Sequence, residues 1–169
     1  MLAPIIAAFI VLHPIMVRLL YTADFYAVNG YLLLAIQGIS FKAISWSIGF
    51  VLLAKGSGRL YFVTELLSDT ITLALNMIGY RYWGLAGVGA SYAVGFILYL
   101  IIIYIVCKRH YNIEPGRKAW MATAATTTIA LVTLISYVYL RPVAWGVAVA
   151  TIAICAILIY RKWQGKEDN

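Results

Sequence analysis

Apolar residues run along this chain in long blocks, and polar and charged residues gather in the short gaps between them. A transmembrane helix needs about 20 mostly apolar residues, because roughly 30 Å of hydrocarbon is crossed at about 1.5 Å per residue. Six blocks meet that length: Leu2–Leu20, Ala27–Ala54, Leu60–Tyr80, Leu85–Cys107, Ala119–Leu140 and Val143–Tyr160. The second is long, which predicts a tilted helix or one that runs past the interface. The gaps are short except Lys108–Lys118, KRHYNIEPGRK, where Pro115-Gly116 signals a helix stop and a turn. The pattern predicts an all-α membrane protein with six transmembrane helices. Four would lie within residues 1–111 and two within 119–160, with a cytoplasmic loop at 112–118 and a cytoplasmic tail at 161–169.

Composition strengthens this picture. The chain is 64% hydrophobic and 11% charged, against about half and about a quarter in a soluble domain. A water-soluble fold of 169 residues could not hide that much apolar surface. The net charge of +7 would point to nucleic acid in a soluble protein. Here the basic residues lie in the short loops, which is the pattern of membrane orientation, so no nucleic-acid partner is expected.

Basic residues also assign sides. With the loop after the second block inside, Lys55, Arg59, Lys108, Arg109, Arg117, Lys118, Arg161, Lys162 and Lys166 are cytoplasmic, nine in all. Arg18, Arg81 and Arg141 are outside, and Lys42 lies within a helix. The C-terminus is therefore expected in the cytoplasm. The first helix fits less well: its start should be cytoplasmic, yet Met1–Val17 carry no Lys or Arg and Arg18 marks the outer end. An upstream segment that sets topology would reconcile this, so the chain is expected to be part of a longer transporter. The first run lacks a basic leader and is too long for a signal-peptide core. Tyr21, Tyr26, Tyr80, Tyr82, Trp83, Trp120, Tyr137, Tyr139, Trp145, Tyr160 and Trp163 fall near the expected interfaces and read as anchoring belts.

Ionisable groups in hydrocarbon cost about 2.5–3.5 kcal/mol each on insertion scales. Lys42 sits near the middle of the second helix, with Asn29 and Gln37 on its outer half. The third helix carries Glu65, Asp69, Thr72 and Asn76 at offsets that put all four on one face. That polar stripe should look at protein or water. At about 1.5 Å per residue, Lys42 and Asp69 lie at similar depths, roughly 18 and 15 Å from the cytoplasmic end. Two readings stay open: the three charges line a transport path, or Lys42 and Asp69 form a structural ion pair. Asn29, Gln37 and Asn76 serve equally as interhelical hydrogen-bond groups.

Other features are blander. The turn AKGSGR, Ala54–Arg59, reads as a flexible basic loop or a diphosphate contact, and lacks the GxxxxGK[ST] order of a nucleotide loop. Gly87, Ser91 and Gly95 recur every four residues, which permits close helix packing or a hinge. His13-Pro14 should kink the first helix. Thr123, Thr126, Thr127, Thr128 and Thr133 decorate helices without internal charge, which look peripheral to a charged path. Cys107 and Cys155 show no metal-binding spacing, His13 and His110 show no catalytic signature, and no metal or cofactor is expected.

Four segments together resemble a known family: LYTADF at Leu20–Phe25, SWSIGFVLLAKG at Ser45–Gly56, FVTELLSD at Phe62–Asp69 and YWGLAGVGASYAV at Tyr82–Val94. The chain resembles the polysaccharide flippases of the multidrug/oligosaccharidyl-lipid/polysaccharide exporter superfamily, especially O-antigen translocases. The resemblance covers over half the chain and implies the C-terminal bundle of a two-bundle transporter in the bacterial inner membrane. It implies alternating access that moves an undecaprenyl-diphosphate-linked oligosaccharide between leaflets. The implied partners are that lipid, membrane lipids, a proton or sodium ion, and an N-terminal bundle of the same protein that this chain lacks. Lys42, then Arg18 and Arg81, are the residues expected to meet the diphosphate, with Lys55 and Arg59 as further head-group contacts. Three alternatives stand beside it: a small-molecule or drug exporter of the same superfamily, a non-transporting fragment, and a membrane-embedded sugar or acyl transferase. The last is disfavoured because the outside loops are too short and too poor in His, Asp and Arg, so no enzyme is expected.

Overall fold

The computed structural model describes residues 2–20, 28–112 and 114–167. Tyr21–Phe25 of the LYTADF run and Tyr26 lie outside the described residues, as do the side chains of Arg141, Arg161, Lys162, Trp163 and Lys166. The elements are α1 (Ala3–Leu20), α2 (Val28–Ala35), a tight 3-10 turn at Ile36–Gly38, α3 (Ile39–Ala54), α4 (Gly58–Tyr111), α5 (Arg117–Tyr139) and α6 (Arg141–Glu167). No strand occurs among the described residues. Three helical stretches, Val28–Ala54, Gly58–Tyr111 and Arg117–Tyr139, are long and apolar enough to cross a membrane. Ala3–Leu19 and Pro142–Ile157 are shorter apolar helices.

The long block predicted over Ala27–Ala54 is α2 and α3 in series, joined through the tight turn that holds Gln37. The blocks predicted over Leu60–Tyr80 and Leu85–Cys107 join without a loop as the two arms of α4. The chain breaks at Gly84, whose φ of 58° and ψ of −141° lie outside helical space. An L side chain rarely adopts that backbone, and glycine does so freely. The arms then fold back on each other in nested pairs. Gly79 abuts Gly87, the Ser91 hydroxyl donates to the Leu75 carbonyl at 2.8 Å, and Gly95 lies against Thr72. Small residues let the two backbones approach closely, as the four-residue repeat of Gly87, Ser91 and Gly95 predicts.

Packing divides the helices into two groups. In one, Ile44, Ile48 and Leu52 of α3 bury against Tyr99, Leu100, Ile103 and Cys107 of α4. In the other, α1 uses Ala7 and Val11 against Ala144 and Ala148 of α6. Ile6, Ile10, Ile36 and Ala130 join the groups, and Ser40 of α3 hydrogen-bonds Thr127 of α5 at 2.8 Å. Outside these seams the surface is apolar: Phe62, Leu73, Met77, Ile135 and Val149 are all exposed. A continuous apolar exterior of this kind suits lipid.

α1 continues through Pro14 as one helix. Proline has no N–H to offer the Ile10 carbonyl, four residues back. The His13 Nδ1 donates to that carbonyl instead at 2.7 Å, so the proton sits on Nδ1. The buried imidazole meets the edge of Tyr137, with ring centroids 5.2 Å apart.

Loop contacts gather at one end. The Ser57 and Tyr111 hydroxyls hydrogen-bond each other, so the turn after α3 adjoins the end of α4. Lys108 pairs with Glu114 at 2.7 Å. The exposed Lys55, Arg59, Lys108 and Arg109 therefore share an end.

Two outcomes follow from this packing. Gly87→Val should lower stability in detergent by at least about 1–3 kcal/mol, the usual cost of overpacking, because its Cβ would strike the Gly79 backbone. Gly146→Ala, where a Cβ meets nothing, should shift it by less than about 1 kcal/mol. Lys108 holds the Glu114 carboxyl below its ordinary range, through a hydrogen bond and its charge. A lowered carboxyl contributes stability above its unfolded value and loses it as pH falls through the folded one. Melting curves of wild type and Glu114→Gln should therefore differ slightly near neutrality and converge in acid. The difference should also shrink in high salt, since both side chains are about half exposed.

Candidate functional site: a polar cavity between α3 and α4

A cavity of about 450 Å³ lies between α3 and the two arms of α4. The first arm contributes Glu65, Ser68, Asp69, Thr72, Leu73 and Asn76; α3 contributes Lys42 and Trp46. The second arm closes it with Tyr92, Phe96 and Tyr99. The polar stripe is on one face because its residues repeat at helical spacing, and the close seam turns that face toward α3.

Among the described residues, Lys42 is the only cation lining the cavity. Its ammonium lies 4.8 Å from the ring centre of Trp46 and 4.6 Å from that of Phe96. The structural ion pair with Asp69, one of the two open readings, is not formed; the ion pair among the described residues is Lys108–Glu114. Two aromatic faces hold the charge instead, each contributing about 0.5–2 kcal/mol depending on how far it is desolvated. Glu65 accepts a hydrogen bond from the buried Tyr99 hydroxyl. Asp69 lines the cavity and is exposed, and the Asn76 Oδ1 is buried without a hydrogen-bond partner.

Four of the residues expected on a transport path, Lys42, Glu65, Asp69 and Asn76, thus meet around one cavity. Gln37 and Asn29 do not line it. Gln37 sits in the tight turn, its Nε2 donating to the Leu33 carbonyl at 3.3 Å and its Oε1 buried without a partner. Arg18, Arg81, Lys55 and Arg59 are exposed and also lie away from the cavity. Among the described residues, none of α5 or α6 lines it. Sequence reasoning missed Trp46, Ser68 and the aromatic wall of Tyr92, Phe96 and Tyr99. The signal was there in spacing: Trp46 is one turn beyond Lys42, and the three aromatics at offsets of four and three share a face.

No protein-family model, curated protein or solved structure matches the chain.

The hydrogen bond from Tyr99 to Glu65 is testable by a double-mutant cycle. Tyr99→Phe leaves a partly buried carboxylate without its donor and should cost about 1–3 kcal/mol in detergent unfolding. Combined with Glu65→Gln, the loss should fall short of the sum by more than about 0.5 kcal/mol. Strict additivity would mean the two groups do not interact.

Proposed function

We propose that this chain forms a membrane-embedded part of a translocator for a lipid-linked oligosaccharide, acting by alternating access. The observation that carries the reading is the placement of one cation, two carboxylates and Asn76 around a single cavity in an otherwise apolar helical body. An anionic, sugar-bearing head group needs such a path, since it cannot enter hydrocarbon. Lys42 would meet the diphosphate. Asp69, Asn76 and Thr72 would exchange hydrogen bonds with sugar hydroxyls, and Glu65 or Asp69 would take the coupling proton or sodium ion.

Counting both arms of α4 as spans, with Val28–Ala54, α5 and the shorter α1 and α6, gives six crossings. The turn at Gly84 would then lie at the outer surface. The basic end with Lys55, Arg59, Lys108 and Arg109 would face the cytoplasm of a bacterial inner membrane. A shift between inward-open and outward-open populations would carry the head group across. An N-terminal bundle of the same protein would complete the path. The resemblance of the four segments to O-antigen translocases supports the choice of substrate over a drug exporter.

The test is translocation of a fluorescent polyprenyl-diphosphate oligosaccharide in vesicles holding the chain together with the N-terminal bundle that would complete the path. Lys42→Gln should slow it about ten- to a hundredfold, the loss of one charge-assisted contact worth about 1.5–3 kcal/mol. Transport that survives the joint change Glu65→Gln and Asp69→Asn would exclude ion coupling through these carboxylates. Movement no faster than in empty vesicles, or unaffected by Lys42→Gln, would overturn the reading.

A further inference from the structure

The polar cavity does not end at Lys42. A second space of about 450 Å³ begins there and shares Lys42, Tyr92 and Phe96 with the first. Its remaining lining is apolar apart from the Tyr31 hydroxyl: Ile5 and Phe9 of α1, then Leu32, Ile36 and Ile39 along Val28–Ala54. Ile5 and Phe9 also border a third, wholly apolar groove of about 410 Å³ that runs over α1 to Leu12, Met16 and Ile152. Polar space, one cation and apolar track therefore follow in that order. The Lys42 ammonium is held by ring faces and, among the described residues, by no carboxylate, so it can still pair with an anion.

We propose that the apolar track beside Lys42 binds the hydrocarbon tail of the same amphiphile, with the linking phosphate at Lys42 and the head group in the polar cavity. This rests on the translocator reading above and adds to it a tail site on the protein. The order of chemistry carries the inference. A lipid-linked sugar has its negative charge at the junction between hydrocarbon and polar head, and Lys42 stands at the corresponding junction here. Neither space alone matches such a ligand. Tail contacts supply affinity through burial of apolar area, about 25 cal/mol per Å² before the costs of ordering. A tail gripped at its phosphate-proximal end also fixes which part of the molecule enters the polar cavity.

The experiment uses the full chain in phosphatidylcholine vesicles with a polyprenyl phosphate that carries a photoreactive diazirine on the isoprene units nearest the phosphate. The neutral polyprenol with the same diazirine is the control, and native mass spectrometry reads retention of each lipid. After irradiation, label from the phosphate should concentrate on residues 5–12 and 32–39, several-fold above the polyprenol. Lys42→Gln should lower both retention and labelling about tenfold, the loss of one charge-assisted contact, and Lys42→Arg should restore them. Leu32→Trp, which fills the groove, should lower labelling of these segments while leaving the secondary structure seen by circular dichroism unchanged. Phe9→Ala, which opens it, should keep the label there and provides a check should the tryptophan variant misfold.

Retention that depends on Lys42, with label spread evenly over all apolar faces, would overturn the tail site and leave the cavity reading standing. Absence of any preference for phosphate over polyprenol would overturn both. Equal competition by phosphatidylglycerol would show an ordinary phospholipid in the groove and overturn the proposal. So would cross-links between two copies of the chain through α1 in place of lipid label.

Discussion

The close seam between the two arms of α4 is the constraint from which the cavity follows. Gly79 against Gly87, Ser91 under the Leu75 carbonyl and Gly95 against Thr72 bring two helical backbones nearer than larger side chains would allow. That approach fixes their rotation. With the arms so rotated, Glu65, Asp69 and Asn76 lie beside the seam, on the edge of the first arm that meets both α3 and the second arm. Tyr99 then lies within reach of Glu65. In lipid, where apolar faces gain little by finding each other, such packing and interhelical hydrogen bonds are the main source of association. The seam thus performs two tasks with one set of residues: it holds the hairpin and aims the charges.

Much of this was legible in the chain before any coordinates. The apolar blocks fall where the helices lie, because length and apolarity are what a span requires. The four-residue repeat Gly87, Ser91, Gly95 announced a tight contact, and the offsets of Glu65, Asp69, Thr72 and Asn76 announced a shared face. The depth estimate brought Lys42 and Asp69 to the same level, and they do line the same cavity. Less legible was the connection at Gly84. The gap at 81–84 reads as a short loop, whereas one glycine with positive φ makes the whole reversal. Gln37 was equally opaque, since the tight turn at Ile36–Gly38 that carries its side chain away from the cavity has no local signal beyond Gly38.

The alternative reading of a Lys42–Asp69 ion pair is not what forms, for a reason that spacing could not reveal. Depth along two helices says nothing of the third wall, and the wall proved to be aromatic. Phe96 comes from the second arm, whose register is set by the seam. Trp46 stands one turn from Lys42, but the spacing alone does not mark it as a partner for the charge. A long-range aromatic contact of this kind depends on which helix lies across the gap, and helical periodicity carries no information about that.

Holding the lysine between rings has a consequence that an ion pair would not. A buried pair is costly to separate, about 3–5 kcal/mol when one partner is lost, and an incoming anion would have to displace the carboxylate first. A cation against two ring faces is stabilised by about 0.5–2 kcal/mol per ring, and its hydrogen-bonding directions remain available to a third group. Glu65 and Asp69 line the same cavity without closing on the ammonium. For the translocator proposed above, that is the useful compromise. The head group must be held firmly enough to leave water and loosely enough to leave again on the far side, which a lysine already committed to Asp69 could not offer.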